Sequence, residues 1–261
     1  MSLLVEISGR IATLTLNRPE QRNALSSELL RRLRAEMAAA DAHDEVDVII
    51  LTGAGPAFSA GLDLKELGRT GANLTPTTPD AIGSDTPGRP WAATTKPVIG
   101  AINGVAVTGG FELALQCDFL VASERAAFGD THARVGILPG WGLSVLLPQA
   151  IGIRRAIEMS LTGNFLDATE AHRLGLVNHV VPHDELIPTA RRLGTDIVGN
   201  DAASARELLA SYRAIHRLTV GDGERHELAV GRHWSRRYRP ADVEARRSAI
   251  AARGREQVEG R

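Results

Sequence analysis

The sequence has a single cysteine, no long apolar run and no excess of charge of either sign. Cys117 is the only cysteine among 261 residues, so no intrachain disulfide and no thiolate metal cluster can form. With 30 basic and 31 acidic side chains the net charge is −1, so no positive field favours nucleic-acid binding. No segment approaches the roughly 18 to 20 apolar residues that span a bilayer, and the first residues lack a secretory signal pattern. We expect a soluble, cytoplasmic protein with no nucleic-acid partner, no membrane partner and no metal.

The composition is that of a globular protein with material for a sizeable core. Apolar residues make up 43% of the chain and charged residues 23%, which excludes a disordered or collagen-like chain. The length fits one or two domains of about 150 residues, or a single α/β domain of about 200 to 250 residues. Local patterns must therefore decide the architecture.

Strand and helix patterns alternate in the first half of the chain. From Leu25 to Met37 an apolar residue recurs every four positions, which is typical of an amphipathic helix. Four other segments are rich in β-branched or alternating apolar residues and predict strands: 10–16, 46–52, 97–102 and 119–122. This order predicts an α/β fold in which helices pack against a sheet.

The second half of the chain is predicted to be mostly helical from Gly152 onward. Asp167 and Glu170 form a helix-start signature, and Gly175 is a natural helix stop. Residues 184–198 and 201–218 also have helical patterns. We therefore predict a core domain over 1–200 and a helical region over 201–261.

Residues 69–90 predict a long loop, because they contain four prolines and three glycines among many Thr, Ser and Asp residues. Loops of this length inside a domain are uncommon. Two interpretations stay open, a lid over a site and a surface segment without a chemical role.

Small residues follow the strand at 46–52, over the segment 53–64 (GAGPAFSAGLDL). Small side chains let a ligand approach the backbone, so that N–H groups can act as donors. The segment lacks both the GK[ST] ending of a phosphate-binding loop and the third glycine of a dinucleotide-binding loop. It predicts a backbone-lined site of another kind, or a simple turn.

A second small-residue segment spans 101–118 (AINGVAVTGGFELALQCD) and is followed by 128–140 (FGDTHARVGILPG). Here a strand enters a helix through Gly109 and Gly110. The unpaired N–H groups and the positive dipole end of such a helix suit a developing oxyanion. Glu112 falls within the first turn of this helix.

Together these motifs resemble the crotonase family, also called the enoyl-CoA hydratase and isomerase superfamily. The resemblance covers nearly the whole chain and includes the segments 17–19, 23–25, 57–64, 101–118, 128–140 and 170–178. It implies a spiral of repeated β-β-α units followed by a helical C-terminal region that forms trimers or dimers of trimers. It also implies an acyl-CoA thioester substrate of fatty acid metabolism and no cofactor beyond the coenzyme A of the substrate.

The resemblance assigns four residues to the chemistry. The backbone N–H groups of Leu62 and Gly109 match the two donors of the family's oxyanion hole. Glu112 matches the first of two glutamates that move protons in the hydratases, and His132 stands where the second glutamate is expected. A histidine titrates near neutral pH, so Glu112 and His132 can form an acid/base pair, whereas a structural role for His132 is the other interpretation. Asp130 is the carboxylate nearest to His132 in the sequence that could replace the missing second glutamate.

The same resemblance suggests residues that contact the substrate or coenzyme A. Lys65 matches a position where relatives often carry a cation near the phosphates of coenzyme A. Arg22 matches a similar position near the adenine of coenzyme A. Trp141 and Phe111 are expected in the pocket wall, and Cys117 in the core. The remaining candidates lie beside the oxyanion donors: Ala60, Asp63 and Gly110.

Three functions remain open at this point. An enoyl-CoA hydratase is favoured by Glu112 and disfavoured by His132. An enoyl-CoA isomerase, or another crotonase reaction on an acyl-CoA, is the second possibility, since an isomerase needs only one base and tolerates the missing glutamate. A non-catalytic acyl-CoA-binding protein would keep Leu62 and Gly109 but has no need of Glu112.

Overall fold

The computed structural model describes residues 1–71, 73, 88–237 and 239–259. These residues divide into two compact units, 1–206 and 207–261. The sequence predicted a division after residue 200, and the oligomerisation role assigned to the second part stays a prediction.

The first unit contains two sheets built from short strands. Six strands form the larger sheet, in the spatial order β1, β2, β3, β5, β7, β10, and four form the smaller, in the order β4, β6, β8, β9. The strands are β1 Leu3–Ser8, β2 Ile11–Leu16, β3 Val48–Gly53, β4 Ala57–Ser59, β5 Val98–Ile102, β6 Val105–Val107, β7 Phe119–Ser123, β8 Ala127–Gly129, β9 Leu166–Asp167 and β10 His179–Val181.

The helices of the first unit follow or separate these strands. They are α1 Ser27–Ala42, α2 Leu64–Thr70, α3 Gly109–Leu115, α4 His132–Val135, α5 Leu143–Ile151, α6 Ile153–Thr162, α7 Ala168–Arg173, α8 Leu186–Val198 and α9 Ala202–Ile215, the last of which begins in this unit. Two short 3₁₀ helices occupy Pro19–Gln21 and His183–Glu185.

Both faces of the larger sheet are covered. The strands β2, β3, β5 and β7 are parallel neighbours, and such strands are buried on both faces. On one face, α1 contributes a fully buried stripe that includes Leu29, Leu33 and Met37. On the other, Leu186 and Ala190 of α8 pack with apolar residues of the strands. The predicted amphipathic helix is confirmed, and Ser26 caps it by accepting from the N–H of Leu29.

The chain winds through both sheets in β-β-α turns. Each turn places one strand in the larger sheet, the next in the smaller sheet and then a helix: β3-β4-α2, β5-β6-α3 and β7-β8-α4. The predicted α/β class and spiral of β-β-α units are confirmed.

Some local predictions differ from the structure. The region after Gly152 is not wholly helical, because β9 and β10 interrupt it and pair with β8 and β7. These strands have two and three residues, too few for a strand period to be visible in the sequence. The predicted loop begins later than residue 69, since α2 reaches Thr70 and Gly71 ends it at φ +64°. Residues 72 and 74–87 of that loop lie outside the described residues.

The second unit, 207–261, contains the end of α9 and two longer helices, α10 Val220–Ser235 and α11 Pro240–Glu259. Thr219 caps α10 by accepting from the N–H of Asp222. Large apolar side chains such as Leu228, Val243 and Ile250 are exposed on these helices. Over the described residues of the whole chain, none of the helices is long and apolar enough to cross a membrane.

Candidate active site

Three loops converge at the carboxyl ends of β4, β6 and β8. These strands are adjacent and parallel, so the segments that follow them emerge at one edge of the smaller sheet. The loop after β4 carries Leu62, that after β6 carries Gly109, and that after β8 carries His132. The topology therefore assembles residues far apart in sequence.

The loop after β6 holds an unusual backbone conformation at Thr108. This residue has φ +53° and ψ −119°, a region that β-branched residues rarely adopt. Its N–H donates to the carbonyl of Gly129, and its Oγ1 lies 2.7 Å from Oγ1 of Thr131. These bonds hold a turn that places Gly109 as the first residue of α3, where its N–H has no partner within the helix. Strain of this kind is concentrated at functional sites.

The loop after β4 runs beside it. Gly61 has φ +86°, and a Cβ there would lie 2.7 Å from the carbonyl oxygen of Val107. A Cβ on Gly109 would lie 3.8 Å from Cδ2 of Leu62. Over the described part of the chain, neither the N–H of Leu62 nor that of Gly109 donates to an acceptor. The side chain of Leu62 thus lies against the start of α3, and both predicted oxyanion donors keep an N–H group without an acceptor among the described residues.

Glu112 lies one turn into α3 and is buried. Its Oε1 accepts from the N–H of Trp141 at 2.6 Å and from the N–H of Gly140 at 3.1 Å. One carboxylate oxygen is therefore fixed by backbone donors. Oε2 is left to face His132, and the distance between Glu112 Oε2 and His132 Nε2 is 3.4 Å.

His132 is held on its other side by Asp130. The Nδ1 of the ring lies 2.6 Å from Oδ1 of Asp130, and the same oxygen accepts from the backbone N–H of His132 at 3.1 Å. All three side chains are almost completely buried, with Glu112 at 3%, His132 at 4% and Asp130 at 1% exposure. The contact between Asp130 and the histidine could not be predicted from the sequence, because it depends on the turn into α4.

The two carboxylates raise the pKa of His132. Burial by itself lowers the pKa of the ring, but hydrogen bonds and attraction from Asp130 and Glu112 outweigh it and raise the pKa to about 9. At neutral pH the ring is therefore an imidazolium between two carboxyl groups, and its Nε2 carries a proton.

The pKa of Asp130 lies below its ordinary value. Burial acts to raise it, but hydrogen bonds from His132 and Ser160 together with the imidazolium charge prevail. Asp130 therefore stays ionised and fixes the ring through Nδ1, so that the Nε2 proton faces Glu112. This is the arrangement in which a carboxylate orients a histidine for proton transfer.

The two aromatic candidates have different surroundings. Trp141 lies over the start of α3, since its Cζ3 would be 3.3 Å from a Cβ on Gly109, and its carbonyl accepts from Gln116. This position of Trp141 is compatible with the predicted place of its ring in the wall of the site. Phe111 has no exposed surface and packs against Phe128 with ring centroids 5.5 Å apart. The pocket-wall expectation for Phe111 is wrong, because the ring belongs to the core.

A cleft of about 690 Å³ opens beside the Leu62 loop. Ala60, Leu62 and Lys65 line it, together with Arg18 and Arg69. Lys65 is exposed at this cleft, and its contact with a phosphate stays a prediction.

Asp63, Arg22 and Gly110, the other residues predicted to contact the substrate or coenzyme A, each have a structural role within the chain. Asp63 caps α2 by accepting from the N–H groups of Lys65 and Glu66, and its carboxylate pairs with Arg18 at 3.0 Å. Arg22 is exposed with φ +50°, and its carbonyl accepts from Ala60. Gly110 is buried against β4. Substrate contacts by these three residues stay predictions.

The chain matches the family model described as "Enoyl-CoA hydratase/isomerase" over residues 6–230. It belongs to the enoyl-CoA hydratase/isomerase family. The resemblance seen in the motifs is thereby confirmed, and the family's fold agrees with the β-β-α turns described above.

Relatives within the enoyl-CoA hydratase/isomerase family are similar over most of their length. The short-chain-enoyl-CoA hydratase of Clostridium acetobutylicum is 36% identical over 217 residues, 83% of this chain and 81% of that protein. The structure of an enoyl-CoA hydratase from Mycobacterium tuberculosis is 53% identical, with TM-score 0.75 over 90% of this chain and 98% of that one. An enoyl-CoA hydratase structure from Bacillus anthracis is 32% identical, with TM-score 0.79 over 89% and 90% of the two chains.

Proposed function

We propose that this protein hydrates a 2-enoyl-CoA thioester, adding water across the carbon–carbon double bond next to the carbonyl. The observation that carries the proposal is the pairing of Glu112 Oε2 with His132 Nε2 at 3.4 Å beside two backbone N–H groups that have no acceptor among the described residues. The names of the similar proteins support the same reaction.

The thioester oxygen would accept from the N–H groups of Leu62 and Gly109. Both donors are fixed before substrate arrives, Leu62 by Gly61 and its neighbours and Gly109 by the Thr108 turn. Negative charge grows on the thioester oxygen when a nucleophile adds to C3, so these donors stabilise the transition state more than the ground state. Removing one such donor in comparable sites costs about 3 to 4 kcal/mol.

Glu112 and His132 would then supply the proton transfers. Glu112 Oε2 takes a proton from water as the water oxygen bonds to C3, and the π electrons move toward the thioester oxygen. The Nε2 proton of His132 is transferred to C2 as the carbonyl re-forms. Transfer of the proton from Glu112 to the neutral ring restores both groups, and the sum of the steps is addition of one water.

The charge states favour this division of roles. An imidazolium held by Asp130 has a proton to give, whereas a carboxylate fixed at Oε1 by two N–H donors has a free oxygen that accepts one. A histidine in this place therefore serves as the acid that a second carboxylic acid would otherwise supply.

Coenzyme A binding and assembly belong to the same proposal. Lys65 at the cleft and the exposed Arg22 would contact the phosphates and the adenine end, and no cofactor beyond the coenzyme A of the substrate is needed. The protein would assemble as a homotrimer or a dimer of trimers through its C-terminal helices, whose exposed apolar residues suit an interface.

A coupled pair of assays tests the function. The purified protein is given a short-chain 2-enoyl-CoA, and loss of the conjugated absorbance is followed while chromatography separates the 3-hydroxyacyl product from a 3-enoyl isomer. Hydroxyacyl-CoA formation supports the proposal. Double-bond migration alone would assign an isomerase, and saturable binding without turnover would assign a binding protein.

A further inference from the structure

Asn73 lies outside every motif used so far, and its side chain is buried next to the Leu62 loop. Only 5% of its surface is exposed. Its Nδ2 donates to two backbone carbonyls, that of Leu25 at 3.2 Å and that of Asp63 at 3.0 Å. These carbonyls belong to the two segments that an isolated bridge joins at Leu25 and Leu62.

The bridge itself is a single residue pair. The N–H of Leu25 donates to the carbonyl of Gly61 at 2.8 Å, and the N–H of Asp63 donates to the carbonyl of Leu25 at 3.1 Å. Because both bonds come from the residues that flank Leu62, its own N–H is directed away from Leu25. One residue pair is a weak constraint on the direction of that N–H.

Asn73 adds a second constraint at the same place. Its Nδ2 donates to the carbonyls of Leu25 and Asp63 together, so the amide holds the two segments against each other directly beside the Leu25–Leu62 bridge. Two other side chains join the same segments nearby: Arg18 donates to the carbonyl of Ala24 and to the carboxylate of Asp63, and Glu66 accepts from the N–H of Ser27. Neither of them bonds to the carbonyls of Leu25 and Asp63. Over the described residues, the Oδ1 of Asn73 is buried and has no hydrogen-bond partner. A buried unpaired oxygen costs free energy, so a packing role would be filled better by an apolar side chain.

We infer that Asn73 is a positioning residue of the oxyanion hole, which fixes the Leu62 N–H by clamping the carbonyls of Leu25 and Asp63. The inference rests on the proposed role of that N–H in binding the thioester oxygen. Asn73 acts through the backbone and has no contact with the reacting atoms.

Two substitutions and one matched control test this role. Asn73→Ala removes the clamp, and Asn73→Asp keeps the shape but turns an acceptor toward two carbonyl oxygens. The control is Asn103→Ala. Asn103 is also buried, and its Nδ2 donates to the carbonyls of Gly55 and Ala57 at the opposite end of β4.

The kinetic expectation is a loss in kcat. Small misplacements of a catalytic group lower rates by up to about 100-fold, so Asn73→Ala should lower kcat for hydration by about 10- to 100-fold. KM should change far less, because the amide has no substrate contact. Asn73→Asp should lower kcat further. Asn103→Ala should lower Tm at least as much as Asn73→Ala while leaving kcat near that of the wild type.

The spectroscopic expectation is independent of turnover. A saturated acyl-CoA labelled with ¹³C at the thioester carbonyl is bound to each variant, and the infrared carbonyl stretch is measured. Donation by the Leu62 N–H lowers this frequency, so Asn73→Ala should move the band back toward its value in water, and Asn103→Ala should leave it unchanged.

Several results would overturn the inference. It is wrong if Asn73→Ala keeps both kcat and the carbonyl band, or if Asn103→Ala alters them equally. A wild-type protein that hydrates nothing but shows the Asn73-dependent band shift would refute the proposed reaction and leave the inference standing. A wild-type protein that produces no band shift on binding would refute both.

Discussion

The Nε2 of His132 lies 3.4 Å from the Oε2 of Glu112, and each side chain is anchored through its other polar atom. Glu112 is held at Oε1 by Gly140 and Trp141, and His132 is held at Nδ1 by Asp130. The two atoms that face each other are therefore the two with a proton to accept or to give.

Glu112→Gln should abolish most turnover and leave acyl-CoA binding intact. The glutamine amide can still present an oxygen to Gly140 and Trp141, but it cannot take a proton from water, and acid/base groups contribute about 10² to 10⁴ in rate. Enoyl-CoA hydration assays give the rate, and calorimetric titration with a saturated acyl-CoA gives the affinity. A variant with near wild-type rate would remove Glu112 from the mechanism.

His132→Ala should lower turnover by about 10² to 10⁴, because it removes the proton donor to C2. His132→Glu restores the residue that the family pattern leads one to expect. Its rate relative to the wild type distinguishes a native histidine acid, for which hydration falls, from a scaffold adjusted to another reaction, for which hydration rises. If neither variant changes any activity, His132 only lines the pocket.

The activity should fall as the pH rises through about 9, because deprotonation of His132 removes the acid. Asp130→Asn removes one of the charges that raise this pKa, so the fall should move to lower pH. The check is kcat/KM measured from neutral to alkaline pH for both proteins. An unchanged alkaline limb in Asp130→Asn would show that another group titrates.

The raised pKa of His132 also makes the stability of the protein depend on pH. A group whose pKa is raised from 6.5 to about 9 on folding contributes stability that is fully present below pH 6.5 and is lost as the pH rises through about 9. Urea unfolding of the wild type and His132→Ala at several pH values should therefore show a difference in stability that narrows as the pH rises through about 9.

Gly110→Ala should destabilise the protein by about 1 to 3 kcal/mol through overpacking. A Cβ at this position would lie 2.4 Å from the carbonyl oxygen of Ser59 in β4. The matched control is Gly68→Ala in α2, where a Cβ has no neighbour within 4 Å, and there we expect a gain of up to about 1 kcal/mol from helix propensity. Denaturant unfolding measures both changes, and equal effects would contradict the packing argument.

Light scattering at micromolar concentration should give the mass of three or six chains of 27.9 kDa. Replacing exposed apolar residues of the C-terminal helices, such as Val243 and Ile250, with serine should shift the population toward smaller species. A clean monomer in the wild type would refute the assembly proposal.

Much of the site could be predicted from the sequence, because glycines mark where backbone approaches closely. Gly61 and Gly109 mark the two loops that carry the proposed oxyanion donors, and the resemblance to the family assigned Leu62, Gly109 and Glu112 their roles. Four strands of the larger sheet, β2, β3, β5 and β7, were predicted because their apolar runs of five or six residues have a visible pattern, whereas β1 was not predicted.

The rest depends on tertiary geometry. The strands β4, β6 and β8 have three residues each, too few to show a period, yet they align the three loops. The contact between Asp130 and His132 requires the turn into α4, and the bonds of Asn73 lie in a segment whose composition indicates only a loop. Neither contact has a sequence signal apart from the residue types.

The parallel arrangement of β4, β6 and β8 places the proposed oxyanion donors and the proposed proton donor in different turns. The two proposed donors for the thioester oxygen lie in the turns after β4 and β6, whereas the proposed acid His132 and the Asp130 that holds it both follow β8. A substitution in that third turn can therefore alter the proposed proton delivery without changing either of the turns that carry the backbone donors.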